Sequence, residues 1–318
     1  MIFKAGTARL DRVATKDETY RITTGEDIDS LVASIATSGL INLPILLPIE
    51  NQRYRIISGF KRIRACLKLG WDQVAVRLLT ADTPTIRCAQ LAIAENAFGR
   101  DLNPVEISRA INLLSADLND DAAVAEAVAG AGLPLVAAVI PRLRPLIKLP
   151  RHFQAGIIAE TLPLPMAERL QQMAVEDAET VFELFSEIRA GLNVQREILD
   201  NVQETALREG VSLREVLTWE DVMQILNDAD LQRPHKTTLI RKMMKSRRFP
   251  ALTATEERFK RRSGELGLPG NVKLVPPAGF EGPDFCLILK FSSREQLADH
   301  KKNIERLLTS DALKEFLD

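Results

Sequence analysis

At Asn103-Pro104 the hydrophobic pattern of the chain changes period. Upstream, apolar runs of strand length at 45–47, 54–57 and 74–79 alternate with helical spacing at 28–37, 59–69 and 86–98. A further short strand is expected at Tyr20-Arg21-Ile22. Downstream the spacing is helical almost throughout, and Asn103-Pro104 with Glu106 supplies a cap, a first-turn proline and an early acid. A chain so divided is α/β in front and all-helical behind. A small α+β module closes it, with a helix at 254–266, strands at 272–275 and 285–291, and a helix at 293–308. With 318 residues, two or three domains are expected. The boundaries fall at 1–102, 103–232, a basic linker with a short helix at 233–252, and 253–318.

Composition excludes several classes. Hydrophobic residues make up 46% of the chain, enough for a real core. Cys66, Cys88 and Cys286 are too scattered for a disulfide framework or zinc site, which fits a reducing cytoplasm. His152, His235 and His300 lie far from one another and from the cysteines, so a His/Cys metal cluster has no support. No stretch has about 20 strongly apolar residues, so no membrane segment is expected, and the N-terminus lacks the apolar core of a signal peptide. Aromatic residues are only 5%, which argues against base stacking as the main mode of binding.

The net charge of −1 conceals a strong local imbalance. Residues 233–262 hold eleven lysines and arginines against two glutamates, whereas 160–230 hold sixteen acids against five arginines. Two readings remain open for the basic segment: a contact for phosphate backbone, or a solvated stretch that neutralises its acidic neighbour.

Two constellations carry chemistry. In Ile56-Ile57-Ser58-Gly59-Phe60-Lys61-Arg62-Ile63-Arg64-Ala65 a strand runs through a glycine directly into a helix. The first N–H groups of such a helix lack partners and attract anions. Gly59 allows close approach, and Lys61, Arg62 and Arg64 add charge. In the second, Glu95 and Asn96 end an apolar helix, where a carboxylate and an amide can hold a hydrated Mg²⁺ against a triphosphate or cap the helix end.

Taken together, these motifs resemble the ParB chromosome-partition family. The likeness runs through Leu31-x-x-Ser34-Ile35-x-x-x-Gly39, Pro44-Ile45, Tyr54-x-x-Ile57-x-Gly59-x-Lys61-Arg62-x-Arg64-Ala65, Glu95-Asn96 and Asp101-Leu102-Asn103-Pro104. The resemblance implies a ParB/sulfiredoxin-like α/β N-terminal domain, an all-helical middle with a degenerate helix-turn-helix, and a C-terminal dimerisation module. It implies CTP and Mg²⁺ as cofactors, with slow hydrolysis, and a homodimer that closes on DNA. Gly59, Lys61, Arg62 and Arg64 would face phosphates. Glu95, the candidate catalytic residue, and Asn96 would sit near the metal, and Arg100 would replace a family arginine one place later. A partition ATPase is the implied further partner, and the nucleoid the implied location. A ParB-fold enzyme, such as a small-molecule kinase or nuclease, and a scaffold without ligands are the alternatives. Sulfiredoxin itself is excluded, because Phe60 stands where it needs cysteine.

The sequence departs from the family at Phe60, Phe98 and Gly99, where the pattern has Glu, Gln and Arg, and at Lys61, where an arginine would bind phosphate bidentately. The region 124–150 is similar to the family's helix-turn-helix and the segment after it. Its second helix, expected from Pro134 onward, starts Leu135-Val136-Ala137-Ala138-Val139-Ile140, with no polar side chain to read base edges. Arg142 and Arg144 remain as phosphate contacts. Non-specific DNA binding is assigned to the basic stretch through Lys242, Lys245, Arg247 and Arg248. Alternating Phe285, Leu287, Leu289 and Phe291, with Leu297, Ile304, Leu307 and Leu308 on the next helix, are the expected dimerisation face; the alternative is packing against the chain's own helix at 254–266.

Overall fold

The structure, a computed structural model, describes residues 3–310; residues 311–318, the end of the expected C-terminal module, lie outside the described residues. The chain forms two compact units, Met1–Gln172 and Met173–Asp318.

In the first unit, β1 (Lys4–Arg9), β2 (Ile45–Ile49), β3 (Arg53–Ser58) and β4 (Gln73–Leu78) form one sheet in the order β1-β4-β2-β3. β1 pairs antiparallel with β4 from Lys4↔Leu78 to Arg9↔Gln73. β2 runs antiparallel to β3 and parallel to β4, with Leu46 opposite Leu78. Asn51 and Gln52, at φ 60° and 55°, form the hairpin turn, a conformation suited to the right-handed strand twist. Helices α1 (Asp29–Ser38), α2 (Phe60–Lys68) and α3 (Thr85–Ala97) complete the α/β part. Leu46, Ile56, Ile63, Cys66, Val74 and Val76 are buried together between the sheet and its helices.

The chain differs from expectation at two places near the start of this part. β1 was not legible, because Lys-Ala-Gly-Thr-Ala-Arg lacks an alternating apolar face. Tyr20-Arg21-Ile22 is irregular rather than a strand. Its continuation is held by side chains of α4 (Pro104–Leu114), so the backbone groups there find partners without a sheet neighbour.

Asn103 accepts bonds from the N–H groups of Val105 and Glu106, and Glu106 bonds back to the Asn103 N–H, completing a capping box worth about 1 kcal/mol. α5 (Asp121–Gly130) follows, capped by Asp120. The second helix of the expected pair is not continuous. Residues 133–136 are non-helical, Ala137–Val139 is a single 3₁₀ turn, α6 is only Ile140–Leu143, and Arg144–Lys148 is again 3₁₀. Pro134, Pro141 and Pro145 each remove a backbone donor and account for the interruptions. α7 (Arg151–Ile158) and α8 (Leu164–Leu170) close the unit.

The second unit begins with α9 (Val175–Ile188), α10 (Leu192–Glu209), α11 (Leu213–Leu217) and α12 (Glu220–Asn227). Next, where a basic linker with a short helix was expected, stands the 16-residue helix α13 (Arg233–Arg248), which packs on α10 and buries Lys236, Ile240 and Met244. The pattern Lys236-x-x-x-Ile240-x-x-x-Met244 is one helical face, and Lys236 is neutralised by Glu187 at 3.0 Å. α14 (Pro250–Glu265), β5 (Val272–Val275), β6 (Cys286–Leu289) and α15 (Arg294–Leu308) follow. β5 and β6 form an antiparallel pair, and Leu266, Leu274 and Leu307 make a small separate core with Phe259, Phe285 and Leu287 against it.

Candidate functional site

Gly59 sets the geometry of the site. It caps the start of α2 at φ +95°, and a Cβ there would stand 2.9 Å from the Pro44 Cβ and 3.0 Å from its Cα. Only glycine combines that conformation with that approach. No side chain caps α2, so its first N–H groups and the positive end of its dipole are available to an anion.

Beside this junction lies a cavity of about 460 Å³, within the range of small-ligand sites. Gly59, Lys61, Arg62, Glu95, Asn96 and Arg100 all line it, so the two constellations, separate in sequence, meet in space. Leu31, Ile35, Leu40 and Ile41 contribute apolar wall. Arg64 does not line the cavity; it pairs with Glu26 at 2.6 Å. Two residues on a helix turn through about 200°, so Arg62 and Arg64 cannot face one ligand.

Arg62 ties the cavity together. Its Nη1 donates to the Asn42 carbonyl at 2.9 Å and to the Leu43 carbonyl at 3.3 Å, and its Nη2 donates to Glu95 Oε1. The other oxygen of Glu95 accepts from the hydroxyl of Ser58, which is 2% exposed. Asn96 spends its amide N–H on the Ala92 carbonyl at 2.8 Å and keeps its oxygen free of any protein donor among the described residues. Both Glu95 oxygens are thus held by protein donors and the Asn96 oxygen is open, so a Mg²⁺ here would draw most of its ligands from phosphate and water. Among the described residues no cluster of three or more His, Cys, Asp or Glu forms a protein-only cage.

Arg100 lines the cavity but is engaged. It forms a bidentate pair with Glu106, at 2.6 and 2.8 Å, and donates to the Thr23 hydroxyl at 3.0 Å. Glu106, 1% exposed, also accepts from the N–H and hydroxyl of Thr24 and from the Asn103 N–H. Burial pushes its carboxyl up, but Arg100 and these N–H groups outweigh that and hold it below its ordinary value. Ser58, Thr23 and Glu106 escaped sequence reasoning. Ser58 had a signal, its place before Gly59; the roles of Thr23 and Glu106 depend on contacts about 80 residues apart in sequence.

The DNA candidates are dispersed. Arg142 pairs with Glu168 at 2.7 Å, and Arg144 pairs with Asp121 while its carbonyl accepts from Ser108 and Asn112. In the second unit, Lys245 pairs with Glu256 at 3.0 Å, Arg247 with Asp221 and Arg248 with Glu204 at 2.7 Å. Arg247 also lies over the Trp219 ring. Of the four basic-stretch candidates, Lys242 alone has no ion pair among the described residues. No helix among them is long and apolar enough to cross a membrane.

The cavity with its glycine-capped helix is part of a known kind of domain. Residues 9–97 match the family model of the ParB N-terminal domain, and the chain carries that domain. Its similar curated proteins include the nucleoid occlusion protein of Bacillus mycoides (strain KBAB4), 30% identical over 194 residues, 59% of this chain and 60% of that protein. Another is the nucleoid occlusion protein of Geobacillus sp. (strain WCH70), 29% identical over 164 residues, 51% of this chain and 55% of that one. The chain thus spans somewhat more than half the length of these relatives. Among solved structures, C-terminally truncated ParB from Caulobacter crescentus complexed with CTP-gamma-S is 19% identical, over 58% of this chain and 99% of that one, at a TM-score of 0.26. The same protein complexed to the centromeric parS site is 15% identical, over 66% and 95%, at a TM-score of 0.32.

Proposed function

We propose that this chain is a partition-type or nucleoid-occlusion-type DNA-binding protein whose N-terminal cavity takes a nucleoside triphosphate, CTP in this reading, with Mg²⁺. The observation that carries the proposal is the convergence of the Gly59-capped start of α2, Arg62 and Glu95 on one cavity. The phosphates lie against the N–H groups of α2, with Lys61 as a point charge beside them. Mg²⁺, when bound, neutralises phosphate charge beside Glu95 and Asn96. Arg62 exchanges the Asn42 and Leu43 carbonyls for phosphate oxygens, which strengthens its bonds and releases the 39–44 segment. Arg100, Thr23 and Glu106 join the cavity wall to the start of α4, a route by which occupancy reaches the helices behind it. Glu95 is the catalytic candidate for any slow hydrolysis, once freed from Arg62 and Ser58.

The domain boundary near residue 102 belongs to this reading, since α4 starts the helical part. DNA contact is non-specific and falls mainly to cations that lack an acid partner among the described residues: Lys242 on α13, and Arg258, Lys260 and Arg261 on α14, which buries no side chain. The interrupted segment after α5 is a degenerate helix-turn-helix retained for packing. The homodimer forms through the C-terminal module, where Phe291, Leu297 and Leu308 of the expected face are exposed, whereas Leu307 is buried and Phe285 and Leu287 pack in the module's own core with Phe259. A partition ATPase is the further partner. Calorimetric titration with CTP, ATP and GTP, with Mg²⁺ and with or without DNA, tests the proposal: saturable binding of CTP supports it, and no binding of any of the three rejects it.

A further inference from the structure

A second cavity, of about 700 Å³, opens in the first unit between the irregular segment 18–26 and helices α4 and α7. Its wall includes Arg21, Arg109 and Arg151. Arg21 is spent: it pairs with Glu18 and Glu26, the two acids of the same wall, and Glu26 also serves Arg64. Arg109 has no acid within ion-pair reach among the described residues. Among the described residues its hydrogen bonds run through Nη1, to the Thr23 carbonyl at 2.7 Å and the Ile22 carbonyl at 3.4 Å. Arg151, exposed at the start of α7, has no partner among the described residues.

A half-buried guanidinium without a carboxylate is costly. Burial, and the neighbouring charge of Arg21, push the Arg109 group below its ordinary value, and the more distant charges of Glu106, Glu18 and Glu26 only partly offset them. An anion placed between Arg109 and Arg151 removes that cost. The rest of the wall is mixed: Ile22, Leu113, Ile147 and Ile158 supply an apolar part beside polar Thr19, Thr24, Asn112 and Gln154. We propose that this cavity binds a small organic anion, a phosphate or carboxylate head on an apolar body, with the head between Arg109 and Arg151. Ile22 lines this cavity and the nucleotide cavity alike. The two sites are therefore neighbours with different arginines, and this proposal stands independently of the nucleotide reading.

The test uses the full chain and three probes: phenyl phosphate, phenylacetate and inorganic phosphate, titrated by calorimetry. At least one organic anion is expected to saturate at sub-millimolar concentration, at least tenfold tighter than inorganic phosphate. The preferred head group tells phosphate from carboxylate. Arg151→Gln, a surface change that leaves the fold intact, is expected to weaken the organic probe about tenfold, and Arg109→Gln, if it folds, more. Arg151 lines this cavity and not the nucleotide cavity, so its effect also tells the two sites apart. No saturation by either organic anion overturns the proposal. So does equal affinity for inorganic phosphate, and so does unchanged affinity in Arg151→Gln.

Discussion

Replacing Glu106 by alanine tests the link between the cavity and the helices behind it. The buried carboxylate accepts five hydrogen bonds, from Arg100 twice, Thr24 twice and the Asn103 N–H. Its removal loses the reciprocal half of the capping box, about 1 kcal/mol. It also strands the Thr24 N–H, about 1–2 kcal/mol. Arg100 is 45% exposed and regains water, so its loss adds little. The expected cost is roughly 3 kcal/mol in urea unfolding of the first unit. The sign with pH is fixed by the depressed Glu106 carboxyl. Its stabilisation is full above the ordinary glutamate value of about 4.3 and is lost as pH falls through the lower folded value. The gap between wild type and Glu106→Ala should therefore be constant near neutrality and narrow in acid. A gap below about 0.5 kcal/mol at pH 7, or one that widens in acid, would refute the reasoning.

Arg62→Ala should weaken CTP at least tenfold, about 1.4 kcal/mol, in the same calorimetry; unchanged affinity would remove Arg62 from the site. Gly59→Ala should destabilise the protein by about 3 kcal/mol in thermal or urea unfolding, because it combines left-handed strain with contact against Pro44; a neutral result would mean that the junction relaxes freely. Reversing Lys242, Arg258, Lys260 and Arg261 together should abolish non-specific DNA binding, and single reversals should each flatten the salt dependence by about one phosphate contact. Sedimentation should give a dimer for the full chain at micromolar concentration; a monomer would defeat both the dimer and any clamp built on it.

The sequence made the α/β part legible where chemistry is local. Gly39, Gly59 and Gly70 each end or open a helix, and Asn51-Gln52 turns the hairpin, as residue type and spacing predict. Gly59 and Glu95 were legible as helix-end residues, and the fold brings both to one cavity. Arg64 was misplaced by proximity in sequence: two positions from Arg62, it lies on another face and meets Glu26. Arg100 carried the right charge, yet Glu106 claims it. The prolines at 134, 141 and 145 carried more weight than the helical spacing around them. In the basic stretch, part of the charge is taken up by partners far along the chain. Asp221 and Glu204 meet Arg247 and Arg248 only once α13 is folded, so much of the apparent positive patch is internal neutralisation.

The central claim is that a nucleoside triphosphate occupies the cavity at the start of α2. Amide hydrogen exchange on the full chain, with and without CTP and Mg²⁺, tests it directly. The account predicts new protection at 58–63, at 94–100 and at Thr23-Thr24, and none of it in Arg62→Ala. Protection absent from 58–63, or retained undiminished in that variant, would contradict it.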